Sequence, residues 1–511
     1  MKSVKKENKF VENIYRRFRG LGGKVKSLRD ERFAPQLKQQ EGSLPKELLK
    51  GVAPIGIMDS LDPKILYWDH QDMDRFIVPK VLMGGPGSGK TTYLQLLINR
   101  FCALRHTVVV FDVIQQCEFT KGVEESLDPG MYEVWDFSKE EFYNQFSFNY
   151  GELYREFDEN DYMKRRIIAS LIQGHLLHFF EAINEKTPSL TVKSMRYLKS
   201  VAQIVFVHKD QTLNDFIKAL SDYEVRQSYI RACEAVPVKE GGERLVSEEV
   251  MEWIKKLDKF DEERNQWVTN EEEIGGILTR LRGLTSDARV QRMLENKQTD
   301  ACDFREVILN PKIIMIRVPQ QKNAVTGEYG YSEEIRAMIT AFITFKIWLI
   351  KEWLDCEGDD EELVENLLGE QVKRKDLHVV HLMYDEVHQF PQFVEVLSRY
   401  LKEFRKFRLG VVFTCHGMTN FNIPVQKEFS KIGVAYLLLS PIEQETVDQL
   451  KNCFSQITPQ AIKEMERGCL AAHIPAESSY VDMIIKAPGT VQDFLALEQG
   501  LKAPKASKNA K

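Results

Sequence analysis

Residues 84–92 read Gly-Gly-Pro-Gly-Ser-Gly-Lys-Thr-Thr, a glycine-rich stretch that ends in Lys-Thr. The apolar run 76–83 (FIVPKVLM) precedes this stretch and predicts a strand, and residues 93–104 after it predict a helix. The pattern G-x-x-x-x-G-K-[ST] between a strand and a helix is typical of a phosphate-binding loop. This feature constrains the chain to an α/β fold in which the loop joins a buried strand to the helix that follows it.

The glycines, the lysine and the threonine of this loop are the residue types that phosphate binding requires. Glycines lack a Cβ, so the backbone can bend closely around a triphosphate, and the amides of the loop and the helix N-terminus point at the anion. Lys90 is expected to reach the β- and γ-phosphates, and the Thr91 hydroxyl is expected to ligate magnesium. The predicted nucleotide-binding residues are Gly84, Gly85, Pro86, Gly87, Ser88, Gly89, Lys90, Thr91 and Thr92.

A second candidate half-site follows another predicted strand. Residues 377–386 read LHVVHLMYDE and end in Asp385 and Glu386. Ligands of open α/β sheets bind beyond the carboxyl ends of the strands. We therefore predict that Asp385 holds Mg²⁺, directly or through water, and that Glu386 polarises the attacking water as general base. The alternative is an acidic pair that only starts a helix.

The segment 404–417 (FRKFRLGVVFTCHG) holds further candidates. Thr414 and His416, at the end of its strand, are both candidates to contact the γ-phosphate or the lytic water, and spacing alone does not choose between them. An arginine finger stabilises the transition state at a neighbouring subunit. The candidates for it are Arg405 and Arg408, with Arg280 and Arg282 as competitors.

Size and composition narrow the class of protein. The 511 residues exceed one average core, which predicts two domains plus tails. A net charge of −6 argues against general coating of nucleic acid and leaves room for a local basic channel. The eight cysteines include no C-x-x-C pair, so we predict neither a zinc site nor a disulfide framework and expect a cytoplasmic protein.

Two segments bear on membranes. Residues 1–40 are rich in Lys and Arg, and apolar side chains at 10–18 share one helical face, which predicts a basic amphipathic helix. A membrane surface, nucleic acid and a partner subunit remain open as its target, as does a solvated tail. The apolar run Met338–Ile350 is too short to span a bilayer and contains Lys346, so it predicts a buried helix.

Several stretches carry a resemblance to a known family. They are GGPGSGKTT (84–92), LTSDARVQRMLENKQTDACDFREVILNPKIIMIRVP (284–319), YDEVHQFPQF (384–393), FRKFRLGVVFTCHG (404–417) and MERGCLAAHI (465–474). With these, the chain resembles the HerA/FtsK superfamily of ATPases, particularly the coupling and traffic ATPases of conjugation and type IV secretion and the DNA-packaging translocases. Family members commonly place glutamine where this chain has Cys415 or His416. They often carry N-terminal membrane helices, where this chain has the basic segment.

The resemblance implies a fold and an organisation. The fold class is α/β, a RecA-like P-loop NTPase core with a mostly parallel sheet and an inserted all-α domain. Strand patterns on both sides of a long stretch with helical periodicity agree with this insertion. The helices predicted within that stretch include residues 223–235 and 247–260. The predicted organisation is an N-terminal segment at 1–50, core residues at 51–150, the all-α domain at 151–305, further core residues at 306–490 and a disordered C-terminal tail at 491–511.

The resemblance also implies an activity. It points to a hexameric ring that hydrolyses ATP with Mg²⁺ at subunit interfaces and translocates double-stranded DNA. Peripheral contact with a membrane-bound transfer or packaging complex at the inner face of the membrane is part of this expectation. The alternatives are the same engine moving protein, a small-molecule kinase, a GTP-dependent switch and a non-catalytic adaptor. The absence of an N-K-x-D motif favours adenine over guanine.

Overall fold

The computed structural model describes twelve stretches of the chain. They are residues 45–58, 64–114, 117–155, 158–183, 191–239, 242–297, 302–320, 330–357, 363–365, 371–373, 379–477 and 479–502. The amphipathic helix predicted around residues 10–18 lies outside them. The chain divides into two compact units. The first unit comprises Met1–Arg105, Val412–Asn420 and Gly433–Lys511, and the second comprises His106–Val411 and Phe421–Ile432.

The strands and helices are numbered here in chain order. The strands are β1 Pro54–Met58, β2 Lys64–Tyr67, β3 Lys80–Met83, β4 Thr107–Asp112, β5 Tyr132–Asp136, β6 Asp258–Asp261, β7 Gln266–Thr269, β8 Ile313–Arg317, β9 Leu363–Glu365, β10 Gln371–Lys373, β11 Val380–Tyr384, β12 Leu409–Cys415, β13 Ala435–Leu439, β14 Cys469–Pro475 and β15 Tyr480–Lys486. The helices are α1 Met73–Phe76, α2 Lys90–Ala103, α3 Glu118–Glu124, α4 Glu140–Tyr143, α5 Gly151–Tyr154, α6 Tyr162–Ala182, α7 Val192–Phe206, α8 Leu213–Ser221, α9 Tyr223–Ala235, α10 Glu248–Lys255, α11 Glu271–Thr285, α12 Ala288–Glu295, α13 Phe304–Leu309, α14 Glu333–Glu357, α15 Pro391–Lys406, α16 Ile423–Ile432, α17 Gln444–Leu450, α18 Pro459–Lys463 and α19 Val491–Lys502.

The second unit contains a run of parallel strands in the order β11–β4–β8–β5. Strands β4, β8 and β11 are buried throughout, as expected for parallel strands covered on both faces. Because the strands are parallel, their carboxyl ends meet at one edge. Polar residues stand at or just after that edge on every strand: Asp112, Asp136, Arg317 and Asp385.

The first unit mixes two kinds of pairing. Strand β3 pairs in parallel with β12 on one side and with β13 on the other. Beyond β13, the strands β14, β15, β1 and β2 are antiparallel. The α/β class and the mostly parallel sheet predicted from the sequence are confirmed, because the central strands of both units pair in parallel and helices connect them.

The helical stretch predicted at 151–305 contains helices α5 to α12 and the start of α13. One part of that prediction is wrong, because the helix expected over residues 247–260 ends at Lys255 and a hairpin of β6 and β7 follows. Alternating residues on both sides of a polar turn favour strands here. The boundaries of a separate all-α domain stay a prediction.

The apolar run Met338–Ile350 lies within α14, and every residue from 335 to 351 is buried. This confirms the predicted buried helix. Lys346 is accommodated because its ammonium pairs with Glu152 at 3.0 Å, and both side chains are almost fully buried. Among the residues that the structure describes, no helix combines the length and apolar character that a membrane crossing requires.

Two other predictions need correction. The strand before the glycine-rich loop is β3 alone, because Phe76 belongs to α1, which Asp72 caps by accepting from the Arg75 N–H. Residues 491–502, assigned to a disordered tail, form α19. This helix is ordered because Phe494 is fully buried against Ile65, Tyr67 and Leu96. Residues 503–511 lie outside the described part of the chain.

Candidate phosphate-binding loop and acidic strand end

The loop at residues 84–89 connects β3 directly to α2, which begins at Lys90. Its turns depend on glycine, since Gly87 has φ 71° and Gly89 has φ 96°. Gly84 has no room for a side chain, because a Cβ there would lie 2.6 Å from the Leu439 carbonyl oxygen. The loop therefore has the tight backbone that a phosphate cradle needs.

The Lys90 side chain folds back over this loop. Its Nζ donates to the Gly84 carbonyl at 2.6 Å and lies 3.4 Å from that of Gly85. The ammonium is thus held at the mouth of the cradle, where a phosphate oxygen would compete for it. Thr91, the next residue, is exposed at the start of α2, and Thr92 is half-buried.

An arginine with no role predicted from the sequence also contacts the loop. Arg467 donates from Nη2 to the Gly87 carbonyl oxygen at 2.8 Å. It lies in the turn before β14, within the segment MERGCLAAHI that carries part of the family resemblance. That motif was the available signal, but nothing in its spacing links residue 467 to residue 87.

The end of β12 lies beside the same loop in the first unit. The Gly84 N–H donates to the Cys415 carbonyl oxygen at 3.3 Å. His416, which follows, is half-buried, and its N–H donates to the Asn420 side chain at 3.0 Å. Thr414 is fully buried within β12. The structure therefore brings the His416 backbone close to the loop, whereas the Thr414 side chain faces the interior.

The acidic pair belongs to the second unit. Asp385 and Glu386 follow β11, and both are half-buried. The Asp385 N–H donates to the Phe111 carbonyl oxygen at 3.3 Å, which ties the pair to the end of β4. Glu386 adopts φ 49° and ψ 40°, a left-handed conformation that disfavours a side chain with a Cβ by about 1–2 kcal/mol. Such strain is found mostly at functional sites.

A buried network lies next to this pair, at the ends of β4 and β8. The Asp112 carboxylate accepts from the N–H and the hydroxyl of Thr120 at 2.9 and 3.0 Å. Arg317 donates to the same hydroxyl at 2.9 Å and to Glu124 at 2.5 Å. Burial raises the pKa of Asp112 to about 6, and the charge of Asp385 adds to this, while the Thr120 hydrogen bonds oppose it. Burial is thus the main cause of the raised pKa of Asp112, and the charge of Asp385 is a smaller one.

The candidate arginines lie elsewhere in the second unit. Arg405 is in the last turn of α15, and Arg408 follows it with φ 56° and is buried. The Arg408 carbonyl oxygen accepts from the Val380 N–H, so its backbone lies at the start of β11. Asp385 lies beyond the other end of that strand, about 16 Å away at 3.3 Å per residue. A finger role for either arginine stays a prediction about a neighbouring copy. The Arg280 and Arg282 side chains lie outside the described residues.

No protein-family model matches the chain, and no curated protein matches it either. Several solved structures are similar to this chain. One is VirB4 of Thermoanaerobacter pseudethanolicus, which shares 15% identity over 87% of this chain and 99% of that chain, with a TM-score of 0.49. The bacterial conjugative coupling protein TrwB is similar at 10% identity over 89% of this chain and 92% of that chain, with a TM-score of 0.48.

A viral protein is also similar over a shorter stretch. The genome packaging NTPase B204 from Sulfolobus turreted icosahedral virus 2 shows 10% identity over 36% of this chain and 72% of that chain, with a TM-score of 0.22. A conjugative coupling protein and a genome packaging NTPase are thus among the solved structures to which this chain is similar.

Proposed function

We propose that this protein is a Mg²⁺-dependent ATPase that works as a ring motor and translocates double-stranded DNA. The observation that carries the ATPase part is the loop at residues 84–89. It combines left-handed glycines, a position with no space for a Cβ, and an ammonium folded over its carbonyls. This is the donor set that a triphosphate requires, and it lies between a buried strand and a helix N-terminus.

Each residue has a role in the proposed hydrolysis. The loop amides and Lys90 bind and orient the phosphates, and the Thr91 hydroxyl and Asp385 would hold the metal ion. Mg²⁺ held there would neutralise charge on the phosphate oxygens. Glu386 accepts a proton from the attacking water, for which its half-buried position leaves access. His416 is favoured over Thr414 as the γ-phosphate sensor because it is not enclosed in the strand.

The arginines and the assembly complete the proposal. Arg405 or Arg408 would act on the nucleotide of the next subunit in a hexamer, because within one chain Arg408 lies at the opposite end of β11 from the acidic pair. Duplex DNA is the proposed cargo, and the resemblance of the motifs to coupling ATPases is the support for it. A cytoplasmic location with peripheral contact to a transfer or packaging complex in the membrane belongs to the same proposal.

Purified protein tests the ATPase part through turnover of Mg²⁺-ATP. We expect Lys90→Ala and Glu386→Gln each to lower kcat by about 10²–10⁴-fold, with Glu386→Gln still binding ATP. The matched control is Lys431→Ala, an exposed lysine paired with Glu428, which should leave turnover unchanged. Full turnover by Glu386→Gln would remove the proposed general base.

The motor part needs two further measurements. Duplex DNA should stimulate turnover, and its binding should weaken steeply with salt because phosphate contacts release counterions. The mass in solution with ATP should indicate a ring. Turnover that ignores duplex DNA but responds to a protein substrate would favour the alternative in which the same engine moves protein.

A further inference from the structure

The loop at residues 385–390 holds the acidic pair, and its shape is set by contacts from outside. Within the loop, the Gln389 N–H donates to the Glu386 carbonyl at 3.2 Å and the Phe390 N–H donates to that of Val387 at 2.9 Å. These are short local bonds without a glycine to favour the left-handed Glu386. A conformation of this kind persists only where surrounding structure holds it.

Arg336, in the first turn of α14, is one of the residues that hold this loop in place. Its side chain is only 3% exposed. Nη1 donates to the Val113 carbonyl oxygen, one residue after the end of β4, and lies 3.5 Å from the Gln389 side-chain oxygen. The guanidinium also lies 5.3 Å from the centre of the Phe390 ring, within the range of a cation–π contact. One side chain thus joins the end of β4 to the loop that follows β11.

A second contact joins α14 to the same place. The Thr344 hydroxyl lies 2.6 Å from the hydroxyl of Tyr384, the residue immediately before Asp385. Tyr384 is fully buried and its ring stacks on Phe111 at 4.6 Å. Helix α14 therefore contacts the acidic loop at both of its ends, through Tyr384 before it and through Arg336 at Gln389 and Phe390.

The other side of α14 packs on the helical stretch of the second unit. The Phe342 carbonyl oxygen lies 3.3 Å from His175 Nε2, and the Phe342 ring packs edge-to-face on the ring of Phe179. Both partners belong to α6. Because α14 is buried from residue 335 to 351, it has little freedom to slide without moving what it touches. A shift in the acidic loop is thus connected to α6 by one continuous helix.

Burial of the Arg336 guanidinium costs free energy, because the charged group loses its contact with water. Its Nε has no hydrogen-bond partner among the described residues, and burial lowers the pKa of Arg336. An apolar residue of similar size would fill the same space without an unsatisfied N–H. The guanidinium of Arg336 has a role that an apolar side chain could not fill, because it contacts Val113 on one side and Gln389 on the other.

We infer that Arg336 is a positioning residue for hydrolysis, which holds the loop 385–390 against the end of β4, and that α14 transmits movement of this loop to α6. The inference rests on the proposed function of Asp385 and Glu386. Arg336 acts through those residues and has no assigned contact with nucleotide.

Turnover kinetics test the inference with a matched pair of variants. We expect Arg336→Met to lower kcat by about 10–100-fold with KM for ATP changed by no more than about 2-fold, because misplacement affects the chemical step. Arg336→Lys, which keeps the charge without the fork, should recover only part of kcat.

The control is Arg165→Met, an equally buried arginine of α6 that donates to the Val207 carbonyl at 2.8 Å. It should lower the Tm similarly and leave kcat within about 2-fold. Equal kcat losses in the two Met variants would overturn the inference.

Hydrogen exchange tests the positioning without reference to ATP. Peptides that contain residues 385–390 should exchange about 10-fold faster in Arg336→Met than in the wild type, and should be unchanged in Arg165→Met. Unchanged exchange in Arg336→Met would refute the inference even if the protein is an ATPase. Faster exchange together with full turnover by Glu386→Gln would instead keep the positioning role and reject the proposed base.

Discussion

The loops after β3 and after β11 both follow buried parallel strands, yet they are built in different ways. Loop 84–89 has glycine at the positions with positive φ and at the position without space for a Cβ. Loop 385–390 has no glycine, and its left-handed residue is a glutamate. Its shape depends on Arg336 and on Thr344, whose hydroxyl pairs with that of Tyr384, and both of these residues come from a helix some 40 to 50 residues earlier.

The difference explains what a sequence motif can and cannot reveal. A loop whose conformation follows from its own residues can be recognised from those residues, wherever the rest of the chain lies. A loop held by distant side chains appears in the sequence only as a short acidic pair. The variants below either break this comparison or make it more quantitative.

The largest expected effect comes from adding one methyl group to the glycine loop. In Gly84→Ala the new Cβ would meet the Leu439 carbonyl oxygen at 2.6 Å, and a backbone atom cannot swing away. We expect ATP binding to weaken by about 10–100-fold, measured by fluorescent-nucleotide titration. The control is Gly174→Ala within α6, where a Cβ meets no atom within 4 Å. Normal ATP affinity in Gly84→Ala would show that the loop is not as locally constrained as the comparison states.

An effect of similar size concerns the buried carboxyl beside the acidic pair. The pKa of Asp112 is raised from 3.8 to about 6, so the folded state binds this proton more tightly than the unfolded state. The resulting stability is full below pH 4 and is lost as the pH rises to 6. Asp112→Asn should therefore raise the free energy of unfolding, measured in urea, by on the order of 2–3 kcal/mol relative to the wild type at pH 7.5, and make little difference at pH 4. A difference that does not change with pH would contradict this.

A smaller effect should follow from removal of one buried hydroxyl. Tyr384→Phe deletes the 2.6 Å contact with Thr344, and we expect a loss of about 1 kcal/mol in urea unfolding. The double variant with Thr344→Val should lose less than the sum of the single variants, since the two hydroxyls share one interaction. Strict additivity would mean that the pair does not connect α14 to the end of β11.

The last comparison measures backbone strain in the two loops, and the smallest effect of all is expected for Glu386→Gly. Gly87→Ala, at φ 71°, should cost about 1–2 kcal/mol. Glu386→Gly relieves the left-handed strain but adds chain entropy to the unfolded state, so its unfolding free energy should stay within about 1 kcal/mol of the wild type. Thermal melts of both variants give the comparison. A large loss in Glu386→Gly would mean that its side chain, and not its backbone, is held by the surroundings.

Much of the fold could be predicted from periodicity. Strands β4, β8 and β11 are near-continuous apolar runs, and helix α9 has the bounds predicted for it. The errors occurred where a local pattern was ambiguous. Phe76 and Ile77 read as strand because they are apolar, although Asp72 caps a short helix there. Phe494 in α19 falls in the segment predicted to be disordered. Its burial could not be predicted locally, because it depends on contacts with the distant elements β2 and α2.

The candidate site divides along the same line. Glycine spacing, Lys90 and the acidic pair were readable as sequence, because their chemistry needs particular residue types at short separations. Arg467 on Gly87, Arg317 on Thr120 and Arg336 on Gln389 were not readable, because each contact joins residues between about 50 and 380 positions apart. An isolated arginine has no pattern that distinguishes a buried anchor from a surface charge.

The sequence by itself determined that this protein has a strand, a glycine loop and a helix with a lysine at its start, since backbone conformation there follows from the residues themselves. Only the tertiary structure decided how the acidic loop is held, which charges are buried beside it, and which helix connects it to α6. The physical reason is range: steric preference acts within a few residues, whereas burial and hydrogen bonding to a distant side chain exist only after the chain has folded.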